Sequence, residues 1–399
     1  MGGGAAGFFA AITCAEKNPN AKVVILERGT AVLNKVKISG GGRCNLTHAC
    51  FEPRELTKFY PRGEKELLGP FHQFCSGDTV EWFESRGVKT KIESDGRMFP
   101  ESNSSQSIMD CLIESARKAG VVVKLKERVE KIIAPKEDGK WTIEIGGGNI
   151  YRADKLMMAS GSNPRVWNIL ESLGHKIIEP VPSLFTFNIK DQRIEGLPGL
   201  SVPKAQVKIA GDKLQATGPL LITHWGMSGP AILKLSAWGA RLLNGFNYNF
   251  KILVNWVGMD RDHLLEELEM LRKKYPKQQI AGHKQLDIPL RLWKSLITAA
   301  GIALDLRWAD LSKKAMNKLI EELTNAQFTV NGKSTFKEEF VTAGGVHLKE
   351  VNFKRFESKI HSGLFMAGEV LNIDAITGGF NFQAAWTGGW LVGNAMAEE

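Results

Sequence analysis

The residues that could do chemistry begin at the first glycines of the chain. Gly2, Gly4 and Gly7 in the run GGGAAG satisfy GxGxxG, where one glycine permits a tight turn, one lets backbone approach a pyrophosphate and one lets a helix pack closely. Together with Ala5 and Ala6 such a turn points helix N–H groups, and the positive end of the helix, at phosphate oxygens. Glu27 lies at the end of the apolar run KVVIL, twenty residues past Gly7. A carboxylate at that spacing accepts hydrogen bonds from ribose hydroxyls and disfavours a 2′-phosphate, so FAD or NAD fits better than NADP.

These residues need a βαβ frame. The spacing predicts a helix over 5–17 and a strand over 22–27, followed at 35–45 by KVKISGGGRCN, too glycine-rich for a helix or strand interior and read as a loop held close to something. Helices are expected over 78–87 and 104–120, and strands over 121–125, 131–135 and 141–145. The apolar run 154–161 ends in Ala159, Ser160 and Gly161, as strands of a doubly wound sheet do at their carboxyl ends. One element is missing: the fingerprint should follow a strand, yet only Met1 precedes it. That strand is central in the usual order, so its loss would leave a gap with unpaired backbone groups, and an apolar strand upstream of Met1 is expected.

From about residue 182 the texture changes to alternating segments at 184–189, 205–209, 214–216 and 248–254. Helical spacing follows, with Leu264, Leu265, Leu268 and Leu271 on one face and Leu319, Ile320 and Leu323 on another. Strand patterns return at 338–345 and at 363–369, before a glycine-rich turn and a last helix. The expected fold class is α/β: a Rossmann-type FAD-binding domain without its first strand, split into halves 1–182 and 331–399, with an inserted antiparallel β subdomain (183–257) and a small helical subdomain (258–330).

Composition places few further limits on this frame. Of 399 residues 43% are hydrophobic and 24% charged, an ordinary globular balance, and no apolar run approaches the ~18–20 residues of a membrane span. Five scattered cysteines, with no CxxC and no zinc spacing, argue for reduced thiols and a cytoplasmic setting. The net charge of +9 could mark a nucleic-acid partner, but the basic residues look interleaved with acids along the chain, so a small-molecule substrate is expected and nucleic acid is not. His224 is a lone imidazole that could act as a substrate-side acid or base, although lone histidines are more often structural.

KISGGGRCNLT (37–47) and AGEVLNIDAITGGFNFQAA (367–385), with GRMFP (96–100), THWGMSGP (223–230) and TAGGV (342–346), resemble the HI0933-like flavoproteins, a group that includes aminoacetone oxidases and bile-acid-type ene reductases. The resemblance spans nearly the whole chain, departing at the absent first strand and at a shorter turn after SGSNP (160–164). It implies FAD as the cofactor, and with it a role for the last motif. Glu369 or Asp374 could bind ribityl hydroxyls, while Gly378 and Gly379 let backbone approach the isoalloxazine ring, and Gly368 is a further candidate cofactor contact. A helix starting near Phe380, with Asn381 and Gln383 in its first turn, would aim its positive end at the flavin N1/C2=O region.

In the 35–45 loop, Ser39, Gly40, Gly41 and Asn45 are expected beside flavin or pyrophosphate, with Arg43 countering phosphate or reduced-flavin charge. Cys44 has no CxxC partner and reads as a packing residue. Arg28, Lys35 and Val129 complete the candidate cofactor contacts.

The function expected is hydride exchange between flavin N5 and a small organic substrate, by amine oxidation or enone-type C=C reduction, with two cycles open: an oxidase returning electrons to dioxygen, or a reductase fed by NAD(P)H, which would bind transiently at the flavin face because a second complete fingerprint is absent. Alternatives are a flavin-dependent RNA-modifying or nucleic-acid-binding protein and a non-catalytic flavin redox sensor.

Overall fold

Helix Ala5–Lys17 buries ten of its thirteen residues, so it is apolar on nearly every side and requires neighbours all round. Its main neighbour is the last helix, Phe380–Ala397, which buries thirteen of eighteen. Glycines make the contact close: a Cβ at Gly389 would stand 2.8 Å from Ala6 O, and one at Gly393 2.6 Å from Ala10 O. The two ends of the chain are thereby packed into one compact unit, Met1–Val181 with Lys337–Glu399, while Pro182–Phe336 forms a second. The structure is a computed structural model that describes residues 1–136, 139–282, 285–334 and 341–398.

In the first unit, strand Val24–Leu26 pairs in parallel with Val122–Lys124, and strand Leu156–Met158 pairs in parallel with Leu364–Met366. Met1 and Gly2 lie between these two ladders. Gly2 N–H donates to Leu26 O at 2.9 Å, Ala159 N–H donates to Met1 O at 2.8 Å, and the Met1 amine donates to Met157 O at 2.7 Å. The expected gap is therefore bridged at its carboxyl end, where the glycine turn begins.

Helix Ser105–Lys118 packs beside helix Ala5–Lys17, and strands Thr47–His48, Arg97–Pro100 and Thr90–Ile92 form a small antiparallel sheet. A meander of Val129–Ile133, Trp141–Ile145 and Ile150–Ala153 follows. The stretch expected to be a loop at 35–45 opens on a helical turn over 34–38 and is irregular beyond it, where Ser39 is extended and Gly40, Gly41, Gly42 and Cys44 have positive φ. Val36 supplies the buried anchor that periodicity alone did not reveal.

The second unit is built on a seven-stranded sheet in the order Ala326–Asn331, Asn249–Asn255, Ser201–Ile209, Gln215–Thr223, Gly226–Ser228, Thr186–Asn188 and Lys333–Ser334. Helices Arg261–Lys274, Leu290–Ala299 and Lys313–Thr324 share its apolar core, with Trp256, Trp293 and Trp308 buried among them. Leu264 and Leu268 are buried while Leu265 and Leu271 pack at the margin; Leu319, Ile320 and Leu323 are all buried. The chain returns to strand at Ala326, inside the stretch expected to be helical, because Ala326, Phe328 and Val330 alternate inward with polar neighbours facing out. In the first unit, strand Val341–Val346 is buried at every position, and residues 338–340 of the expected strand lie outside the described residues.

Candidate functional site

The glycine turn is locked by contacts that only glycine permits. At Gly2, φ is +104° and a Cβ would stand 2.3 Å from Ala159 O; at Gly7 a Cβ would stand 2.0 Å from Gly2 O. Gly4 differs: nothing lies within 4 Å of where its Cβ would be. It precedes a helix that no side chain caps and whose first turn holds no acid, so the helix start offers unshared N–H groups beside open space.

Glu27 stands next to this turn. Its Oε2 accepts from Gly3 N–H at 2.8 Å and its Oε1 from Gly29 N–H at 2.7 Å, which fixes the carboxylate. An ionised carboxylate has about four lone-pair directions, leaving about two for ribose hydroxyls. Glu127 N–H donates to Glu27 O and Lys126 N–H to Gly29 O, drawing the chain that leads into Val129 alongside; Arg28 is exposed beside it.

The carboxyl ends of the other two parallel strands arrive at the same turn. Ala159 abuts Gly2, and a Cβ on Gly161 would lie 3.8 Å from Glu369 Oε2. A Cβ on Gly368 would touch Ala6 Cβ at 3.6 Å, and Lys35 Nζ reaches Glu369 Oε2 at 2.5 Å. Gly2 to Gly7, Glu27, Lys35, Ala159 to Gly161, Gly368 and Glu369 are thus one continuous constellation. An uncapped helix start with open space at Gly4, an anchored carboxylate at Glu27 and a partly buried Glu369 are donor and acceptor types that fit a dinucleotide's phosphates and hydroxyls.

Residues 1–395 match the HI0933-like protein Rossmann domain family. The chain belongs to that family. It is 28% identical over 410 residues to a 3-dehydro-bile acid delta(4,6)-reductase of Clostridium scindens, covering 100% of this chain and 98% of that protein. It is 27% identical over 401 residues to a ribosomal RNA dihydrouridine synthase of Escherichia coli, covering 98% and 95%. Among solved structures it resembles the 3-ketosteroid-delta4-(5alpha)-dehydrogenase of Rhodococcus jostii RHA1, with a TM-score of 0.54, 13% identity and 100% and 96% coverage. At that identity the likeness is one of fold.

The second half of this HI0933-like chain's glycine motif is organised differently from the expectation. A Cβ at Gly379 would stand 2.5 Å from Thr47 O, and one at Gly378 2.6 Å from the Phe380 ring, so these glycines admit the protein's own atoms. Asn45 ties the two glycine loops together: its amide nitrogen donates to Thr47 O at 3.1 Å and its oxygen accepts from Gly379 N–H at 3.0 Å. Asn381 is spent on Ala375, accepting from its N–H at 3.0 Å and donating to its carbonyl at 3.1 Å.

Gln383 is fully buried and accepts from the hydroxyls of Thr47 (2.6 Å) and Thr79 (3.0 Å). Asp374, expected to reach ribityl hydroxyls, is wholly buried in a two-pronged ion pair with Arg62; a carboxylate so desolvated has to be matched by a cation. That leaves Glu369, partly buried and paired with Lys35, as the acid of the motif nearest the first glycine turn.

Arg43 is likewise committed, pairing with Glu93 at 2.6 Å with its guanidinium 4.0 Å over the Phe99 ring. Ser39 donates to Val36 O, and Gly40 is crowded by Asn45 N and Phe99, whereas Gly41 has open space around it. Cys44 is fully buried, and burial pushes its thiol up to about 12, so packing and not thiolate chemistry is its role. His224 occupies the exposed two-residue turn between strands Gln215–Thr223 and Gly226–Ser228 of the second unit.

The imidazole beside the glycine motif is instead His48. Its Nδ1 lies 3.1 Å from Gly378 O, and its ring is 4.6 Å from Phe380, itself stacked on Phe59 at 4.3 Å. The sequence carried a signal for it, because His48 directly follows the GGGRCNLT motif.

Proposed function

We propose that this chain is an FAD-dependent oxidoreductase that saturates a carbon–carbon double bond conjugated to a carbonyl. The observation that carries the reading is the meeting of the Gly2 to Gly7 turn and Glu27 with Ala159 to Gly161 and Gly368 to Glu369 at the carboxyl ends of parallel strands, where dinucleotides bind. Bound FAD supplies hydride exchange at N5, the step that side chains cannot perform.

The chain's residues bind and orient. Glu27 holds the adenosine ribose, the N–H groups following Gly4 offset pyrophosphate charge, and Glu369, itself held by Lys35, receives ribityl hydroxyls. The start of helix Phe380–Ala397 favours negative charge near the ring. His48 is the group placed to hold a proton beside Gly378.

The choice of a conjugated alkene is supported by the names of the relatives. A delta(4,6)-reductase and a dihydrouridine synthase both remove a double bond from a carbonyl-bearing ring. The test is anaerobic: purified yellow protein is mixed with NADH or NADPH and flavin bleaching is followed at 450 nm in ordinary flavin absorbance (about 450 nm), then a cyclic enone or a uridine-containing RNA is added. Reoxidation of the flavin with a product two mass units heavier, about one hydride and one proton, supports the reading. In a parallel run with an amine as reductant and air admitted afterwards, bleaching followed by reoxidation by dioxygen alone would replace it with an amine oxidase, and bleaching without turnover in either run would leave a redox sensor.

A further inference from the structure

Behind the second glycine turn the packing is polar where an apolar joint would have served stability alone. Thr47, Ser76, Thr79, Gln383 and Thr387 are all wholly buried there. Buried polar groups are tolerated only when each is partnered, so a cluster of them marks a joint whose geometry is specified.

One atom sets the direction of the bonds in this cluster. Phe74 O can only accept, so Thr387 Oγ1 donates to it at 2.9 Å. Thr387 must then accept from Gln383 Nε2 at 3.1 Å, which turns Gln383 Oε1 towards Thr47 and Thr79 as their acceptor. Thr47 gives its one proton to Gln383 at 2.6 Å, so its 3.2 Å contact with Ser76 uses the Ser76 proton. The amide cannot turn round without leaving buried groups unpaired.

Gln383 touches both sides of the joint. Its side chain holds Thr47, on strand Thr47–His48, and its N–H donates to Gly379 O at 3.0 Å, at the start of helix Phe380–Ala397. The neighbours of those two residues are His48 and Gly378, and His48 Nδ1 lies 3.1 Å from Gly378 O. A carbonyl only accepts, so Nδ1 carries the hydrogen of the neutral ring and Nε2 is the nitrogen that takes up and gives back a proton.

We infer that Gln383 is a positioning residue: through Thr47 and Gly379 it fixes His48 against Gly378 O, and so sets the imidazole tautomer and the seat of the helix start. The inference rests on the reading of His48 as proton holder beside a flavin. In that reading His48 serves the reaction and Gln383 acts through it.

The test places Gln383→Leu in the full-length, flavin-loaded protein. The fold should survive, because Thr79 has a second acceptor in Cys75 O at 3.2 Å, Thr47 has Ser76 Oγ, and Thr387 keeps Phe74 O. Trp386 Nε1, donating to Leu46 O at 3.0 Å, still docks the helix. Imidazole nitrogen NMR, with the His48 signal assigned by its loss in His48→Gln, should show the Nδ1–H tautomer in the wild type. The Nε2–H share should rise about tenfold in Gln383→Leu. Reduced flavin should lose about tenfold in stability, read by dye equilibration as a midpoint potential lowered by ~30 mV for a two-electron couple. Thr79→Val should give a smaller change, about threefold, and Thr79→Ser, which keeps the hydroxyl, should match the wild type.

Ser236→Ala controls for stability alone. Ser236 is wholly buried in the second unit, accepting from Phe185 N–H and donating to Leu233 O, and its loss should lower the melting temperature without moving tautomer or potential. An Nε2–H tautomer in the wild type overturns the inference, as do Gln383→Leu readouts that match those of Ser236→Ala. If Gln383→Leu does not fold, Thr79→Val against Thr79→Ser decides by the same readouts. A colourless protein whose tautomer still responds to Gln383→Leu sustains the positioning role and sinks the flavin reading. A yellow protein with tautomer and potential unmoved sinks the positioning role alone.

Discussion

Two glycine-rich turns in the same unit look alike in sequence and do opposite things in space. The turn at Gly2 to Gly7 uses two glycines to fold on itself and keeps the third, Gly4, beside open space at a helix start. The turn at Gly378 and Gly379 is filled by the protein, with the Thr47 backbone and the Phe380 ring where side chains would be. A glycine motif therefore does not announce what it makes room for. The first turn leaves open space at a helix start, where we propose that the cofactor's phosphates sit, and the second fastens the last helix to the segment after the GGGRCN loop.

The largest effect should come from placing a methyl group in each. Gly379→Ala adds a Cβ 2.5 to 2.8 Å from three Thr47 backbone atoms at φ +91°, combining overpacking with left-handed strain. A loss of about 3 to 5 kcal/mol is expected, read as insoluble protein or a sharply lowered melting temperature. Gly4→Ala meets nothing and keeps an ordinary φ of −95°, so stability should change by less than about 1 kcal/mol. Its methyl group would occupy the approach to the helix start, and FAD retention on dilution should fall at least about tenfold. Equal behaviour of the two variants would erase the distinction.

Glu27→Gln tests the ligand-facing turn next. Gly3 and Gly29 N–H groups both donate to this carboxylate, and an amide offers them one acceptor and one donor. Losing a charge-assisted bond to ribose costs about 1.5 to 3 kcal/mol, or roughly 10- to 100-fold in FAD affinity by equilibrium dialysis. An unchanged affinity would move the cofactor away from Glu27.

The protein-filled turn has a support that titrates. His175 is buried, with Nδ1 3.0 Å from Glu350 and Nε2 3.0 Å from Ser358 Oγ, and His347 N–H donates to the carbonyl of the adjacent Lys176. Val346 N–H donates in turn to Val370 O, so this network braces the chain that leads to the second motif. Burial holds the His175 pKa below its ordinary 6.5, against a smaller upward pull from Glu350. The unfolded chain takes up this proton first as pH falls. Stability should be full above pH 6.5 and decline below it, by denaturant midpoints at a series of pH values, and His175→Gln should flatten that decline. A slope unchanged by the substitution would locate the titration elsewhere.

Much of this was legible in the sequence because local chemistry fixed it. Gly2, Gly7 and Glu27 could be placed from spacing alone, since a βαβ turn has few ways to close and an acid at the end of the second strand has one neighbour. The pairing of the two chain ends was legible from two buried-strand patterns ending in glycine. What spacing could not give was partnership across the fold. Asp374 and Gln383 looked available in the motif, yet their partners Arg62, Thr47 and Thr79 lie some three hundred positions away, and long-range pairing leaves no periodic trace.

The smallest effect belongs to the pair that joins the two halves of the ligand-facing constellation. Lys35 is half exposed and Glu369 is mostly covered, so their ion pair is screened and should contribute no more than about 1 kcal/mol to stability. Lys35→Met should barely move the melting temperature, while freeing Glu369 to reorient and weakening FAD retention about two- to fivefold. Should Lys35→Met lower stability by several kcal/mol and leave FAD untouched, this pair would behave like Arg62 and Asp374, and Glu369 would join the residues that serve the protein and not the ligand.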